Sequence, residues 1–201
     1  ISTFSLHPVK AITSGEGGIV STNSKKLFEK MRIVRNHGMI VDKHSTNKKY
    51  NIVTNSLNFR LSDINCALAY SQLKKIKKFV KKRNSIASFY NDKTKHMQQY
   101  FTPLVKNNFS YNSWHLYQII LDKKFKDHRD KLMRFFLKKK IITQIHYLPI
   151  YKHSIFKNLK SKNLRNSELF YQRVISLPIF YQLNRKKQER IVTTLINFFR
   201  K

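Results

Sequence analysis

The distribution of glycine constrains this chain more than any other feature. The 201 residues include four glycines, and three of them, Gly15, Gly17 and Gly18, fall within four positions. Glycine lets the backbone take positive φ angles and reverse direction in little space, so this cluster predicts a tight turn. A short apolar segment ending at Lys10 precedes it, and residues 19–22 follow as an expected short strand. The pattern places Lys10 on a sharp turn between two extended segments.

A lysine held on such a turn, partly out of water, has a specific chemical use. Only a neutral amine attacks a carbonyl carbon, and partial burial favours the neutral form of lysine. The spacing alone leaves a simpler interpretation open. Lys10 is one of 41 lysine and arginine residues, most of which we expect on the solvated surface.

Four stretches of the chain, in this order, resemble one enzyme family. They are SLHPVK at residues 5–10 with GEGG at 15–18 behind it, RNHG at 35–38, NFRLSDI at 58–64 and QIHYLPI at 144–150. Together they are similar to the DegT/DnrJ/EryC1/StrS sugar aminotransferases, and the similarity covers essentially the whole chain. The branch that the chain most resembles makes 4-amino sugars on a UDP carrier, as in pseudaminic acid synthesis.

The resemblance implies an α/β fold, namely a fold-type I pyridoxal phosphate (PLP) transferase similar to aspartate aminotransferase. It implies PLP as the cofactor, Lys10 as the residue that bonds to it, and Ser5 as a residue that binds its phosphate. Asn58 matches a family asparagine that reaches the cofactor phosphate of the other subunit, so a homodimer is implied. The reaction would move an amino group from an amino acid, L-glutamate by resemblance, to a nucleotide-linked 4-keto sugar.

Three further residues are assigned to the substrate side by the same resemblance: Arg60, His146 and Tyr147. Arg60 could clamp a carboxylate or phosphate with two parallel hydrogen bonds, or it could anchor the helix that follows. A histidine in an apolar strand is otherwise most often a core residue with a satisfied ring.

The chain begins without a methionine, and in the family the cofactor lysine lies near the middle of the protein. We therefore expect the C-terminal portion of a longer protein, inactive on its own. Residues 1–60 would be the end of the PLP-binding large domain. Residues 61–201 would be a connecting helix and a small C-terminal domain.

The formal net charge of +31 favours, at first sight, an anionic partner such as nucleic acid or a membrane surface. The lysines are spread along the chain and no nucleic-acid motif accompanies them, so we expect neither partner. A nucleotide sugar and a phosphate also suit a positive field. A basic binding protein in which Lys10 has no chemical role stays the alternative from another class.

Other function classes are disfavoured by what the sequence lacks. The single cysteine, Cys66, rules out a disulfide framework, and its apolar neighbours predict a buried side chain. There is no apolar run of membrane-spanning length and no signal peptide, so we expect a cytoplasmic protein. The histidines are not paired at helical spacing, so we expect no metal site.

The apolar spacing predicts the elements around the motifs. Residues 24–35 predict a helix capped by Ser24, and residues 39–57 a long polar loop. Residues 62–86 predict one long helix capped by Ser62. Further along we expect strands near 113–121 and 141–147, and helices at 127–140, 168–174 and 187–199.

One alternative within the family concerns the reaction itself. The same cofactor can support dehydration or other chemistry on a nucleotide sugar. In the resembled family the dehydrases replace the lysine with histidine, so Lys10 favours amino-group transfer. The sequence also leaves open the alternative that the chain is a truncated remnant of such an enzyme.

Overall fold

The computed structural model describes residues 1–41, 49–104, 112–156, 158 and 164–200. The chain divides into two compact units, Ile1–Lys77 and Lys78–Lys201. The assignment of residues 1–60 to a cofactor domain stays a prediction, because this division reflects packing and not ligand binding.

The first unit begins with a β-hairpin that presents Lys10. Strand β1 (Ser2–Ser5) pairs antiparallel with β2 (Gly18–Ser21), and Phe4 lies opposite Ile19. The connecting residues form the turn that the glycine cluster predicts. The expectation that Lys10 lies on a turn between two extended segments is confirmed.

Helix α1 (Lys25–Arg35) follows the hairpin, as its apolar spacing predicts. The Ser24 hydroxyl accepts a hydrogen bond from the Leu27 N–H and satisfies one of the unpaired donors of the first turn. The chain leaves the helix through Gly38, whose φ of +69° is one that glycine tolerates. The cap and the stop signal are both confirmed.

The long loop predicted over 39–57 is wrong in part. Strands β3 (Met39–Val41) and β4 (Tyr50–Ile52) form a short antiparallel hairpin there. Three-residue strands between polar stretches give too little alternation to be recognised in sequence. Residues 42–48, which include Asp42 and His44, lie outside the described residues.

The single long helix predicted from residue 62 is two helices. Ser62 caps α2 (Asp63–Leu73) as expected, and α3 (Ile76–Thr94) follows after a break. The Lys75 N–H bonds the Gln72 carbonyl, three residues back, which tightens the end of α2.

Cys66 corrects a further expectation. It lies on α2 and is exposed, not buried. Helix α2 has no buried residue, although its sequence is largely apolar. The apolar neighbours of Cys66 therefore do not form a core within this unit.

The second unit is built on an antiparallel sheet with strand order β5-β6-β7. The strands are β5 (Phe101–Pro103), β6 (Tyr117–Leu121) and β7 (Val174–Leu177). Three helices besides α3 belong to this unit: α4 (Arg129–Lys138), α5 (Arg165–Arg173) and α6 (Arg185–Phe199). The core takes alternate residues of β6, Ile175 of β7, and buried side chains of the helices: Ile86, Tyr90, Tyr117, Ile119, Leu121, Leu132, Phe136 and Leu195.

The strand predicted over 141–147 is wrong. The segment makes one isolated bridge, between Gln144 and Ser176, and is otherwise irregular. Strand β7, whose Ser176 makes this bridge, was not recognised in the sequence because it follows α5 directly with no turn residue between them. Among the described residues, no helix is long and apolar enough to cross a bilayer.

Arg83 is a charged side chain inside the second unit. It is 7% exposed, and its Nη1 donates to the carbonyl oxygens of Trp114, His115 and Ile179 at 3.0, 3.2 and 2.9 Å. Loss of water lowers the pKa of the guanidinium. These carbonyls compensate the buried charge, so Arg83 ties α3 to the ends of two other segments.

Candidate cofactor and substrate site

The loop that carries Lys10 is pinned at its base. Leu6 is 2% exposed; its N–H donates to the Gly17 carbonyl at 2.9 Å, and its carbonyl accepts from the Ser14 N–H at 3.1 Å. The Thr13 hydroxyl also donates to the Leu6 carbonyl, at 2.9 Å. These bonds close residues 6–17 into a defined loop, in which His7, Pro8, Val9 and Glu16 are exposed.

Lys10 occupies the end of a hydrogen-bonded turn within this loop. Its N–H donates to the His7 carbonyl at 3.0 Å, and the His7 N–H is directed at the Ser5 hydroxyl, 3.4 Å away. The Lys10 side chain is half-buried, and among the described residues no hydrogen bond or ion pair involves its amine. The structure therefore brings Ser5 and Lys10 together on one turn.

The return from this turn needs residues without side chains. Gly17 has φ of +129°, and a Cβ there would lie 2.9 Å from Leu61 Cδ1 and 3.1 Å from Ser14 Oγ. A Cβ on Gly18 would lie 3.1 Å from the Phe4 carbonyl oxygen. Close approach of the two strands explains the glycine cluster.

An open groove of about 840 Å³ lies beside the hairpin of the first unit. Residues of the hairpin, among them Phe4, Ser5, Gly18 and Ile19, form one wall, and α1 forms another. Arg32 and Arg35 bring positive charge to its edge. Such a groove suits an anionic group next to apolar surface.

Asn58 and Arg60 form a second pair, also in the first unit. The Asn58 side-chain oxygen accepts the Arg60 N–H at 3.1 Å, and Arg60 Nη1 donates to the side-chain oxygen of Asn36. Asn36 and Asn58 also form an antiparallel bridge. The oxygen of the Asn58 amide is occupied, and its NH₂ group makes no hydrogen bond among the described residues.

This geometry leaves the alternatives for Arg60 open. The bond to Asn36 uses part of the guanidinium fork and fits an anchoring role. The side chain is exposed, which fits a ligand-binding role equally well. Its assignment to the substrate side stays a prediction.

His146 and Tyr147 lie in the second unit. The half-buried His146 ring has Nδ1 2.8 Å from the Ser176 hydroxyl oxygen. Tyr147 is 68% exposed and lines a cavity of about 540 Å³ with Pro149, Tyr151, Asn166 and Phe170, among other residues. Tyr147 thus lines this cavity, while the His146 ring contacts Ser176 of β7.

A charged cluster beside this cavity was missed by sequence reasoning. Glu168 accepts the Tyr151 hydroxyl proton at 2.8 Å and pairs with Lys152 at 2.6 Å. These bonds, first that from Lys152, lower the pKa of Glu168, and the loss of water together with Glu168 raises the pKa of Tyr151. The sequence signal that could have revealed this cluster was the scarcity of acidic residues, of which the chain has ten.

Comparison with known sequences supplies the context for these groups. The profile of the DegT/DnrJ/EryC1/StrS aminotransferase family matches residues 1–196. A UDP-4-amino-4,6-dideoxy-N-acetyl-beta-L-altrosamine transaminase of Campylobacter jejuni is 37% identical over 202 residues, which cover 100% of this chain and 53% of the relative. The enzyme of that name from Helicobacter pylori is 36% identical, covering 98% of this chain and 52% of the relative.

Solved structures agree with this similarity. Helicobacter pylori PseC, an aminotransferase of pseudaminic acid biosynthesis, superposes with a TM-score of 0.92 at 36% identity, over 99% of this chain and 53% of that one. A putative sugar aminotransferase from Streptococcus pneumoniae in its PLP form has a TM-score of 0.84 over 96% of this chain and 50% of that one, and at 24% identity it supports the fold alone. The predicted α/β fold class, a fold-type I PLP transferase, is confirmed. The chain spans about half the length of these relatives.

Proposed function

The chain belongs to the DegT/DnrJ/EryC1/StrS aminotransferase family, as its motifs predict, and we propose that the complete protein transfers an amino group from an amino acid to a nucleotide-linked keto sugar. The observation that supports this most directly is Lys10. Its backbone N–H is held in a hydrogen-bonded turn that follows Ser5, its side chain is half-buried, and the segment lies within the family match. L-Glutamate is the donor that we propose from the family resemblance.

The groups present fit PLP, the cofactor of this family. The aldehyde group of PLP needs an amine that is not held by another group. The Lys10 amine has no hydrogen bond or ion pair among the described residues. A phosphate needs hydroxyl or N–H donors and positive charge, which Ser5 and the arginine side of the groove provide.

The role of each residue follows from its chemistry. PLP supplies a reactive carbonyl carbon and an aromatic ring that withdraws electrons. With PLP bound, the Lys10 amine would be the group that holds the cofactor at this carbon, and it would carry a proton to or from the carbon that gains or loses the amino group. The turn would hold the amine in place beforehand, so little freedom would be lost on reaction. Ser5 would donate a hydrogen bond to the phosphate.

The sugar is proposed from the relatives. Two of them are named for transamination of a UDP-linked 4-amino sugar and align with almost all of this chain. A UDP-linked 4-keto sugar is therefore the acceptor that we propose. Arg60, His146 and Tyr147 are proposed to contact it, and the basic surface suits its diphosphate.

The test of this function is chemical labelling of Lys10. Borohydride reduction of the complete protein with PLP, followed by peptide mapping, should place the pyridoxyl group on the peptide that contains Lys10. Lys10→Arg keeps the charge but stays protonated, so transamination should fall by several orders of magnitude. Lys25→Arg, on the exposed start of α1, is the matched control and should retain activity. Label on another lysine, or activity in Lys10→Arg, would overturn the proposal.

The homodimer has a separate test through Asn58. If its NH₂ group reaches the cofactor phosphate of the partner subunit, Lys10→Ala and Asn58→Ala subunits should complement each other. Mixed dimers would carry one intact site of two, so activity should return after subunit exchange. Each variant alone, treated in the same way, is the control. Proven exchange without recovered activity would remove Asn58 from a shared site.

A further inference from the structure

The cavity that Tyr147 lines is formed between two segments of the second unit. Its volume is about 540 Å³, which falls in the range of small-molecule sites. One wall comes from the turn at residues 147–151 and the other from residues 164–170, where α5 begins. The side chains that matter below are Tyr147, Pro149 and Ile150 on the first wall, and Asn166, Ser167 and Phe170 on the second.

The lining of this cavity is uncharged, in contrast to the rest of the chain. The chain has 41 lysine and arginine residues and ten acidic ones, yet the described residues that line the cavity include none of these. Phosphate and carboxylate groups bind most tightly where a lysine or an arginine pairs with them. The lining therefore favours a neutral ligand group over a phosphate or the carboxylate of an amino acid.

The lining combines aromatic surface with a small number of polar groups. Tyr147 is 68% exposed, so its ring is accessible for stacking, and Phe170 supplies a second ring on the opposite wall. Asn166 and Ser167 bring an amide and a hydroxyl, both of which can donate and accept hydrogen bonds. A flat, neutral ring with donors and acceptors along its edge matches this lining, and a nucleobase is such a ring.

Contacts of Glu168 join the two walls from outside the cavity. This carboxylate on α5 accepts the Tyr151 hydroxyl proton at 2.8 Å and pairs with Lys152 at 2.6 Å. Lys152 Nζ also lies 5.2 Å from the centroid of the Tyr171 ring, one turn further along α5. The Lys152 and Glu168 side chains are 36% and 32% exposed, so water screens their attraction only in part. Glu168 thus connects the walls without adding a charge to the lining.

We propose that this cavity binds the base of the nucleotide sugar, with Tyr147 and Phe170 against its flat faces, and that Glu168 is a positioning residue that holds the two walls at the required separation. Asn166 and Ser167 bond the polar edge of the base. That the base belongs to a nucleotide sugar rests on the proposed function, whereas the preference for a flat neutral ring rests on the lining. Glu168 and the residues of α5 belong to none of the motifs that identify the family.

The first experiment locates the base without a measurement of activity. The complete protein is irradiated with 4-thio-UDP, whose base forms cross-links to adjacent residues, and the labelled tryptic peptides are identified by mass spectrometry. Label should appear on peptides 141–152 or 166–173, which contain the two walls, and an excess of UDP should prevent it. UDP-protected label confined to other peptides, or the absence of any UDP-protected label, would overturn the proposal.

The second experiment measures UDP binding to variants of the complete protein by calorimetry. Tyr147→Leu and Phe170→Leu should each weaken UDP binding about three- to tenfold, the size of one lost aromatic contact. Inorganic pyrophosphate has no base, so these substitutions should not alter its binding. Phe180→Leu is the matched control, because Phe180 is a 42% exposed ring of the same unit that does not line the cavity. Unchanged UDP affinity in Tyr147→Leu and Phe170→Leu would refute the site.

The positioning role of Glu168 is tested by a double-mutant cycle. Glu168→Ala should weaken UDP binding about threefold or more and leave pyrophosphate binding unchanged, with Glu189→Ala as the control. In a Phe170→Leu background the same substitution should have a smaller effect, since the wall that Glu168 holds has lost its ring. An equal effect in both backgrounds would show that Glu168 does not act through the cavity. If Glu168→Ala does not fold, Tyr151→Phe removes one of the same contacts and takes its place in the cycle.

These experiments separate the cavity from the proposed reaction. Pyridoxyl label on Lys10 without a UDP-protected cross-link at the cavity would support the reaction and refute the cavity. A UDP-protected cross-link at the cavity without label on Lys10 would support the cavity and refute the reaction.

Discussion

Gly38 and Gly15 take similar backbone angles in different surroundings. Their φ angles are +69° and +86°, in the region that disfavours residues with a Cβ. A Cβ on Gly38 would lie 1.9 Å from the carbonyl oxygen of Thr54, whereas a Cβ on Gly15 would have Asn65 Nδ2 as its nearest neighbour at 3.7 Å. A comparison of substitutions at the two positions therefore distinguishes the cost of a positive φ angle from the cost of a steric clash.

We expect Gly38→Ala to destabilise the complete protein far more than Gly15→Ala. Both pay the cost of a positive φ, about 1–2 kcal/mol, but Gly38→Ala must also displace a backbone carbonyl. Thermal unfolding of the two variants, compared at the same concentration, measures the difference. Equal shifts of the unfolding midpoint would show that the backbone near Thr54 moves easily.

Single residues differ in how far the sequence predicts them. The Lys10 turn was predictable because glycine, proline and the following strand act within a few positions of each other. The Ser176–His146 contact and the Glu168 cluster were not, because their partners meet only once the chain has folded. Cys66 was assigned wrongly since apolar neighbours on a helix do not reveal whether another element covers them.

At the scale of elements, local signals predicted the helices better than the strands. Helix α1 has a cap, a stop signal and apolar spacing, and all three are observed. The sequence of residues 141–147 has high β-propensity but forms no strand there, while β7 takes the edge of the sheet. Strand pairing depends on distant partners, so propensity alone does not decide it.

The contact between α5 and the turn at residues 150–152 carries a pH-dependent contribution to stability. Because Lys152 and Tyr151 lower the pKa of Glu168, the folded state binds the Glu168 proton less tightly than the unfolded state. The stabilising contribution of Glu168 is fully present above the usual glutamate pKa of 4.5. It is lost as the pH falls through the lower pKa that Glu168 has in the folded protein.

Glu168→Gln should therefore lower the unfolding midpoint at neutral pH, and the difference should vanish once the pH has fallen below the lowered folded pKa of Glu168. Glu189→Gln is the matched control, since its partner Arg185 is 3.3 Å away and both side chains are about 60% exposed. It should have little effect at any pH. A Glu168→Gln effect that persists in acid would contradict the assigned ion pair.

The two units of the molecule differ in how much apolar surface they bury. The second contains the cluster around β6 and α3, whereas α1 and α2 of the first have no buried residue. Large side chains such as Phe4, Phe28 and Ile64 are 55%, 50% and 82% exposed in the first unit. Its stability on its own must be low, because burial of apolar surface is the main favourable contribution to folding.

Hydrogen exchange on the isolated 201-residue chain should show this difference directly. Amides of β6 and β7 should exchange more than about tenfold more slowly than those of α1 and α2, since local opening follows the buried contacts. We also expect the isolated chain to be inactive. Equal protection in both units would contradict the lower stability of the first unit. Turnover by this chain alone would contradict the expected inactivity.

Arg83 has a consequence for the order of events during synthesis. The chain leaves the ribosome from its N-terminal end, and the Ile179 carbonyl that accepts from Arg83 emerges 96 residues after it. Before Ile179 emerges, the nascent chain lacks one of the three carbonyl acceptors of Arg83. Burial of the guanidinium is then less favourable than its exposure to water. The second unit therefore completes its interior only when its last strand and helix arrive. Truncation before residue 179 should leave a translation product that chaperones and proteases recognise as unfinished.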